Sequence, residues 1–197
     1  MAKRTVLHMF IGVPDDMLLD IGRLVVLGAQ LDLHKMKLFE VASSVPVTES
    51  AKRPRRQLNK DMKAAFSVAP FDRLKIRLET WLEDVANLLD RRDEIAHSVG
   101  GYEVRGDGTA RYTRLHPKQE ESQTQFDAST LSEWVMRMSD ANHSGVDLLI
   151  ESIILKEGGV EAHDNHLKHR EEYGRSVKEL EELARTLQSD ESHETAS

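Results

Sequence analysis

Between residues 71 and 89 the apolar residues Phe71, Leu74, Leu78, Trp81, Leu82, Val85, Leu88 and Leu89 recur at three- and four-residue steps. Such spacing returns every one of these side chains to a single helix face, so it predicts an amphipathic helix over about 70–97 that needs partners to cover it. Two more segments carry the same period. Met17, Ile21, Leu24, Leu31, Met36 and Leu38 predict a helix over 14–43, opened by Pro14 with Asp15 and Asp16 at its positive end. Leu131, Trp134, Val135, Met138, Leu148, Leu149 and Ile153 predict a third over 128–157. A short basic helix, interrupted by Pro54, is expected within 51–67. Gly22 and Gly28 lower helix propensity inside 14–43, which suggests close approach of a neighbouring backbone there.

One stretch breaks the helical pattern. Gly106-Asp107-Gly108-Thr109 is a tight-turn signal between two β-prone runs, so a hairpin is expected at about 101–115. The expected fold is therefore all-α: a four-helix up-and-down bundle with a β-hairpin insertion and a polar C-terminal tail. The bundle is assigned to residues 1–157. Residues 158–197 hold ten acids and five Lys/Arg and are read as an acidic tail, flexible or with one short helix.

Composition sets further bounds. With 197 residues the chain suits one domain plus an appendage. It has no cysteine, which excludes a disulfide framework, a thiolate nucleophile and a zinc–thiolate site. The net charge of −7 argues against general coating of nucleic acid but leaves room for a local basic site. The N-terminal run is too short and lacks the small-residue cleavage site of a signal peptide. No apolar run approaches the ~20 residues needed to cross a bilayer. A cytoplasmic protein without membrane attachment is expected.

No Gly-rich loop precedes Lys-Ser/Thr, and neither a Gly-x-Ser-x-Gly elbow nor a His-Glu-x-x-His helix occurs. His163, His166 and His169 are spaced by three and cannot all share one helix face, so they are read as part of a solvated tail. No cofactor and no metal site is expected.

The stretch LLDRRDEIAHSVGGY, residues 88–102, carries the chemistry. Extending the apolar stripe of 71–89 by one step lands on Arg92. Asp93 and His97 are four apart and share a helix face, so the carboxylate can hold the imidazole and favour its protonated form. His97 is the residue of the stretch whose ordinary pKa suits proton transfer near neutral pH. Arg92 offers a bidentate fork for phosphate oxygens. Arg92 and His97 are five apart, about 140° around an ideal helix. Both can reach one phosphate only if the helix end unwinds or a second chain contributes.

Arg92-Asp93, followed by three residues and His97 at the end of a long helix in an all-α chain, resembles the HEPN superfamily. Its signature is an arginine, then Asn, Asp or His, and a histidine four to six residues after the arginine. The resemblance spans residues 14–157 as an architecture. It implies a metal-independent endoribonuclease or RNA-binding protein, of the kind found in toxin–antitoxin and defence systems. RNA would be cut by attack of its own 2′-hydroxyl. Arg92, Asp93 and His97 are then the catalytic candidates, with Asp93 orienting His97. Arg91 becomes an auxiliary phosphate contact, and Arg55 and Arg56 of the basic run become RNA-backbone contacts. The implied partners are RNA, a second copy whose motif faces the first across a shared cleft, and an antitoxin protein. Position 99 is Val, where some family members carry a modifiable tyrosine, so that form of control gets no support. The competing reading is a non-catalytic helical-bundle interaction or dimerisation protein whose Arg92, Asp93 and His97 are an ordinary charged helix end.

Overall fold

The computed structural model describes residues 15–96, 99–104, 110–115, 125–126 and 128–194. Helices α1 (Asp15–Ser43), α2 (Val47–Ser50) and α3 (Arg55–Ala65) come first. A 3-10 turn at Phe71–Leu74 then leads into α4 (Lys75–Ala96), and α5 (Ala128–Glu194) closes the chain.

The core follows from the stripes. Leu24, Leu31 and Leu38 of α1, Leu58 and Met62 of α3, Leu78, Leu82, Val85 and Leu89 of α4, and Leu131, Met138 and Leu148 of α5 are all buried in one cluster. Three hydrogen bonds fix the helices more closely than apolar packing can. Trp81 Nε1 donates to the carbonyl of Ala141 at 2.7 Å. Its ring lies against Gly145, where an added Cβ would come 2.8 Å from the indole. Asn142 Nδ2 donates to the carbonyl of Leu27 at 3.1 Å, and Ser132 Oγ donates to Asp20 Oδ2 at 2.8 Å. Rising numbers meet rising numbers, so α1 and the first arm of α5 run parallel. Trp81 against Ala141 and Arg77 against Glu151 make α4 antiparallel to that arm.

The fold expectation is corrected in two places. First, the packed body is helical throughout, and the insertion expected as a two-stranded hairpin at 101–115 is instead part of a three-stranded sheet. Between α4 and α5 the backbone forms three strands, β1 (Val99–Val104), β2 (Ala110–Leu115) and β3 (Gln125–Phe126), in one antiparallel sheet of order β1-β2-β3. Val99 pairs with Leu115 and Tyr102 with Tyr112, while Phe126 adds a third strand on Tyr112. An isolated two-stranded ribbon is marginal in water, and a third strand answers its unpaired edge. The turn residues 106–109 lie outside the described residues.

Second, the polar C-terminal tail is replaced by a second arm of α5 that docks on the body. Gly159 has φ 72° and ψ −166°, a region open essentially only to glycine, and it breaks the helix. A continuous helix would separate residues 147 and 170 by about 35 Å. Instead Arg170 Nη2 lies 2.6 Å from Asp147 Oδ2, so the chain doubles back. His163, read as solvated, is 3% exposed. Residues 171–176 beyond the docked part are exposed.

Candidate functional site at the end of α4

Arg92 sits in the buried stripe of α4 between Leu89 and Ile95, and its side chain is 15% exposed. A guanidinium in such a place needs carboxylates. Nη2 donates to Asp32 Oδ2 at 3.1 Å, and Nε lies 2.8 Å from Asp93 Oδ1 at an angle that makes the contact ionic rather than a hydrogen bond. The stem is seated over α1 at Gly28, where an added Cβ would come 3.1 Å from Arg92 Cγ. Gly28 thus makes room for a side chain, and not for the neighbouring backbone expected from the sequence.

Arg55 joins the same group. It is the first residue of α3, at the positive end of the helix dipole, where a cation is unfavourable. Three carboxylates offset that. Nη1 donates to Asp93 Oδ2 at 2.9 Å and lies 3.7 Å from Asp90 Oδ1, while Nε lies 3.7 Å from Asp32 Oδ1. Arg92, Asp32, Arg55 and Asp93 therefore alternate around a ring, each aspartate touching one arginine with each oxygen. Among the described residues, Nη1 of Arg92 and Nη2 of Arg55 take no part in the ring's contacts.

One turn beyond Asp32 on α1, Lys35 is 1% exposed, and its Nζ has no hydrogen-bond partner among the described residues. Burial lowers its pKa to about 8, with Asp32 pulling upward and Arg55 pushing down. Asp32 and Lys35 were missed by sequence reasoning. The available signal was a lysine in the phase of the core stripe, between Leu31 and Leu38.

The structure thus brings Arg92, Asp93 and Arg55 together. Asp93, expected to orient His97, has its two oxygens on Arg92 and Arg55. Arg91 turns to another side: Nη1 donates to Glu94 Oε2 at 3.0 Å, and the guanidinium carbon lies 5.7 Å from the centre of the Trp134 ring. There it lines a separate groove with Leu88, Trp134 and Arg137. Arg56 is exposed on α3, apart from the ring. His97 lies outside the described residues.

A second charge cluster, this one around a buried carboxylate, was also missed. Glu151 is fully buried. Arg77 Nη1 donates to its Oε2 at 2.5 Å, His163 Nε2 lies 3.2 Å from the same oxygen, and Arg170 Nη1 donates to Oε1 at 3.0 Å. Burial by itself would raise the carboxyl pKa, but hydrogen bonds from Arg77 and His163 and their charges bring it below the ordinary range. This cluster ties both arms of α5 to the start of α4.

Among the described residues no group of three His, Asp or Glu side chains could hold a metal ion, and no helix is long and apolar enough to cross a membrane. No family model, no curated protein and no solved structure matches the chain.

Proposed function

We propose that the chain is a HEPN-like, metal-independent endoribonuclease or RNA-binding protein, working as a homodimer and open to control by an antitoxin-type partner. The observation that carries this reading is the ring itself. Two arginines are held in place by two aspartates at the last turns of α4, with two guanidinium nitrogens outside the ring's contacts among the described residues and His97 four residues after Asp93 in the sequence. Two positioned guanidiniums suit the charge that develops on a phosphate as the 2′-hydroxyl attacks. His97 supplies the proton transfer.

The same ring favours a second reading. Two arginines against two aspartates are nearly neutral, and such a balance suits a scaffold that only fastens α1, α3 and α4 together. A bundle of this kind would serve as an interaction protein.

Incubating the purified chain with mixed RNA and EDTA separates the two. In the enzyme reading, cleavage persists in EDTA and falls by roughly 10² to 10⁴ in His97→Ala, with the melting temperature nearly unchanged. No cleavage by the wild type, or equal cleavage by the variant, moves the assignment to the interaction protein.

A further inference from the structure

The outward face of α1 is apolar along most of its length. Leu18, Leu19, Val25, Val26 and Leu33 are 39–59% exposed, and Gly22 and Ala29 share their side of the helix. Isolated exposed apolar residues are ordinary, but a continuous stripe of them over about 20 Å of one helix marks a contact surface.

Three details say what covers it. The middle line of the stripe maps onto itself when the helix is reversed about the point between Val25 and Val26: Leu18 falls on Leu33, Gly22 on Ala29 and Val25 on Val26, while Leu19 at the edge falls on Asp32. Exposed charges close its ends with opposite sign, Asp15 at the start and Lys37 at the finish. Among the described residues nothing accounts for Gly22, since an added Cβ there would meet nothing within 4 Å. A glycine in a helix interior is unfavourable by roughly 1 kcal/mol relative to alanine. A close approach from outside accounts for it.

We infer that the α1 face docks on the same face of a second copy of this chain, antiparallel, across a two-fold axis between Val25 and Val26. A two-fold interface must be self-complementary, and the middle line of this stripe is. Small residues at Gly22 and Ala29 let the two helices approach closely. Each Asp15 meets the Lys37 end of the other copy, a rim pairing that fixes orientation more than affinity. Gly28 and Asp32, which seat Arg92, lie about 4 and 10 Å along the helix from the axis, so the two arginine rings flank it on opposite sides. The inference does not depend on RNA cleavage.

The chain has no native cysteine, which makes a cross-linking test clean. Oxidising a mixture of Leu18→Cys and Leu33→Cys chains should give a linked heterodimer, whereas Leu18→Cys alone should stay unlinked. Linkage of Leu18→Cys to itself would mean a parallel arrangement and overturn the proposal. Sedimentation of the full chain should show a dimer that Val26→Asp weakens by about 100-fold or more, because two carboxylates then face each other across the axis. Val26 is 59% exposed, so the helical circular dichroism should be unchanged. Gly22→Leu should weaken the dimer while stabilising the helix. A monomer at ~100 µM, or a dimer indifferent to Val26→Asp, would show that the face is covered by something else and defeat the proposal.

Discussion

The two charge clusters described above are built on opposite plans. At Glu151 three cationic side chains converge on one carboxylate, and both of its oxygens are used. At the end of α4 two arginines share two aspartates, and among the described residues two guanidinium nitrogens stand outside the ring and the buried amine of Lys35 has no partner. The first plan is what a fold needs to hold two helix arms together. The second holds charge in a place where the fold alone gains little from it. Groups that the fold does not satisfy are where a ligand finds its contacts, at some loss of stability.

That contrast fixes how each cluster should respond to change. The largest effect is expected in catalysis at the α4 end, where His97→Ala should lower RNA cleavage by roughly 10² to 10⁴ without unfolding the chain.

The next largest is at the other cluster. Glu151→Gln leaves Arg77, Arg170 and His163 without their anion and should destabilise the fold by about 3–4 kcal/mol in chemical denaturation. The half-exposed arginines keep it at the low end for a buried pair. The same carboxylate makes stability depend on acid. Its pKa in the folded chain is lowered, so its contribution is complete above the ordinary value of 4.5 and is lost as pH falls below that value. Wild type should therefore lose stability between pH 4.5 and lower values more steeply than Glu151→Gln.

Replacing Lys35 should have the opposite effect on stability. Its folded pKa of about 8 lies below the ordinary 10.5, so the charged form is penalised in the folded chain. Between those values the unfolded chain binds more protons, and stability should rise with pH. Lys35→Met should stabilise the chain by about 2–3 kcal/mol at pH 7. That gain should fade above pH 10.5. Urea denaturation at pH 7 and 10.5 checks this, and a destabilised Lys35→Met would mean that the amine is satisfied in the folded state. The smallest effect is expected at Arg56. It is exposed and outside the ring, so Arg56→Ala should change stability by less than about 0.5 kcal/mol.

The two clusters also differ in how far the sequence exposed them. Arg92 and Asp93 were legible because the apolar stripe of α4 runs straight into them. Arg55 was legible as a cation in a basic run, but its carboxylate frame was not, since Asp32 and Asp93 reach it from two other helices. Lys35 hid in the phase of Leu31 and Leu38, where a stripe reading passes over a single polar position. Glu151 and His163 are twelve apart and meet only because the chain reverses at Gly159. Gly158-Gly159 reads equally well as a helix end followed by a tail. The same limit applies to the strands: turn chemistry marks a local pair, whereas the pairing of Phe126 with Tyr112 joins a segment from beyond the turn.

The central claim is that one cluster acts on a ligand and the other holds the fold. It is tested most directly by measuring RNA cleavage and melting temperature side by side for Arg92→Gln and Glu151→Gln. Arg92→Gln should abolish most cleavage with a small loss of melting temperature, while Glu151→Gln should lower the melting temperature markedly and keep the cleavage rate per folded molecule. If Arg92→Gln instead unfolds the chain as readily as Glu151→Gln, with no cleavage by the wild type to lose, both clusters are fasteners and the account is wrong.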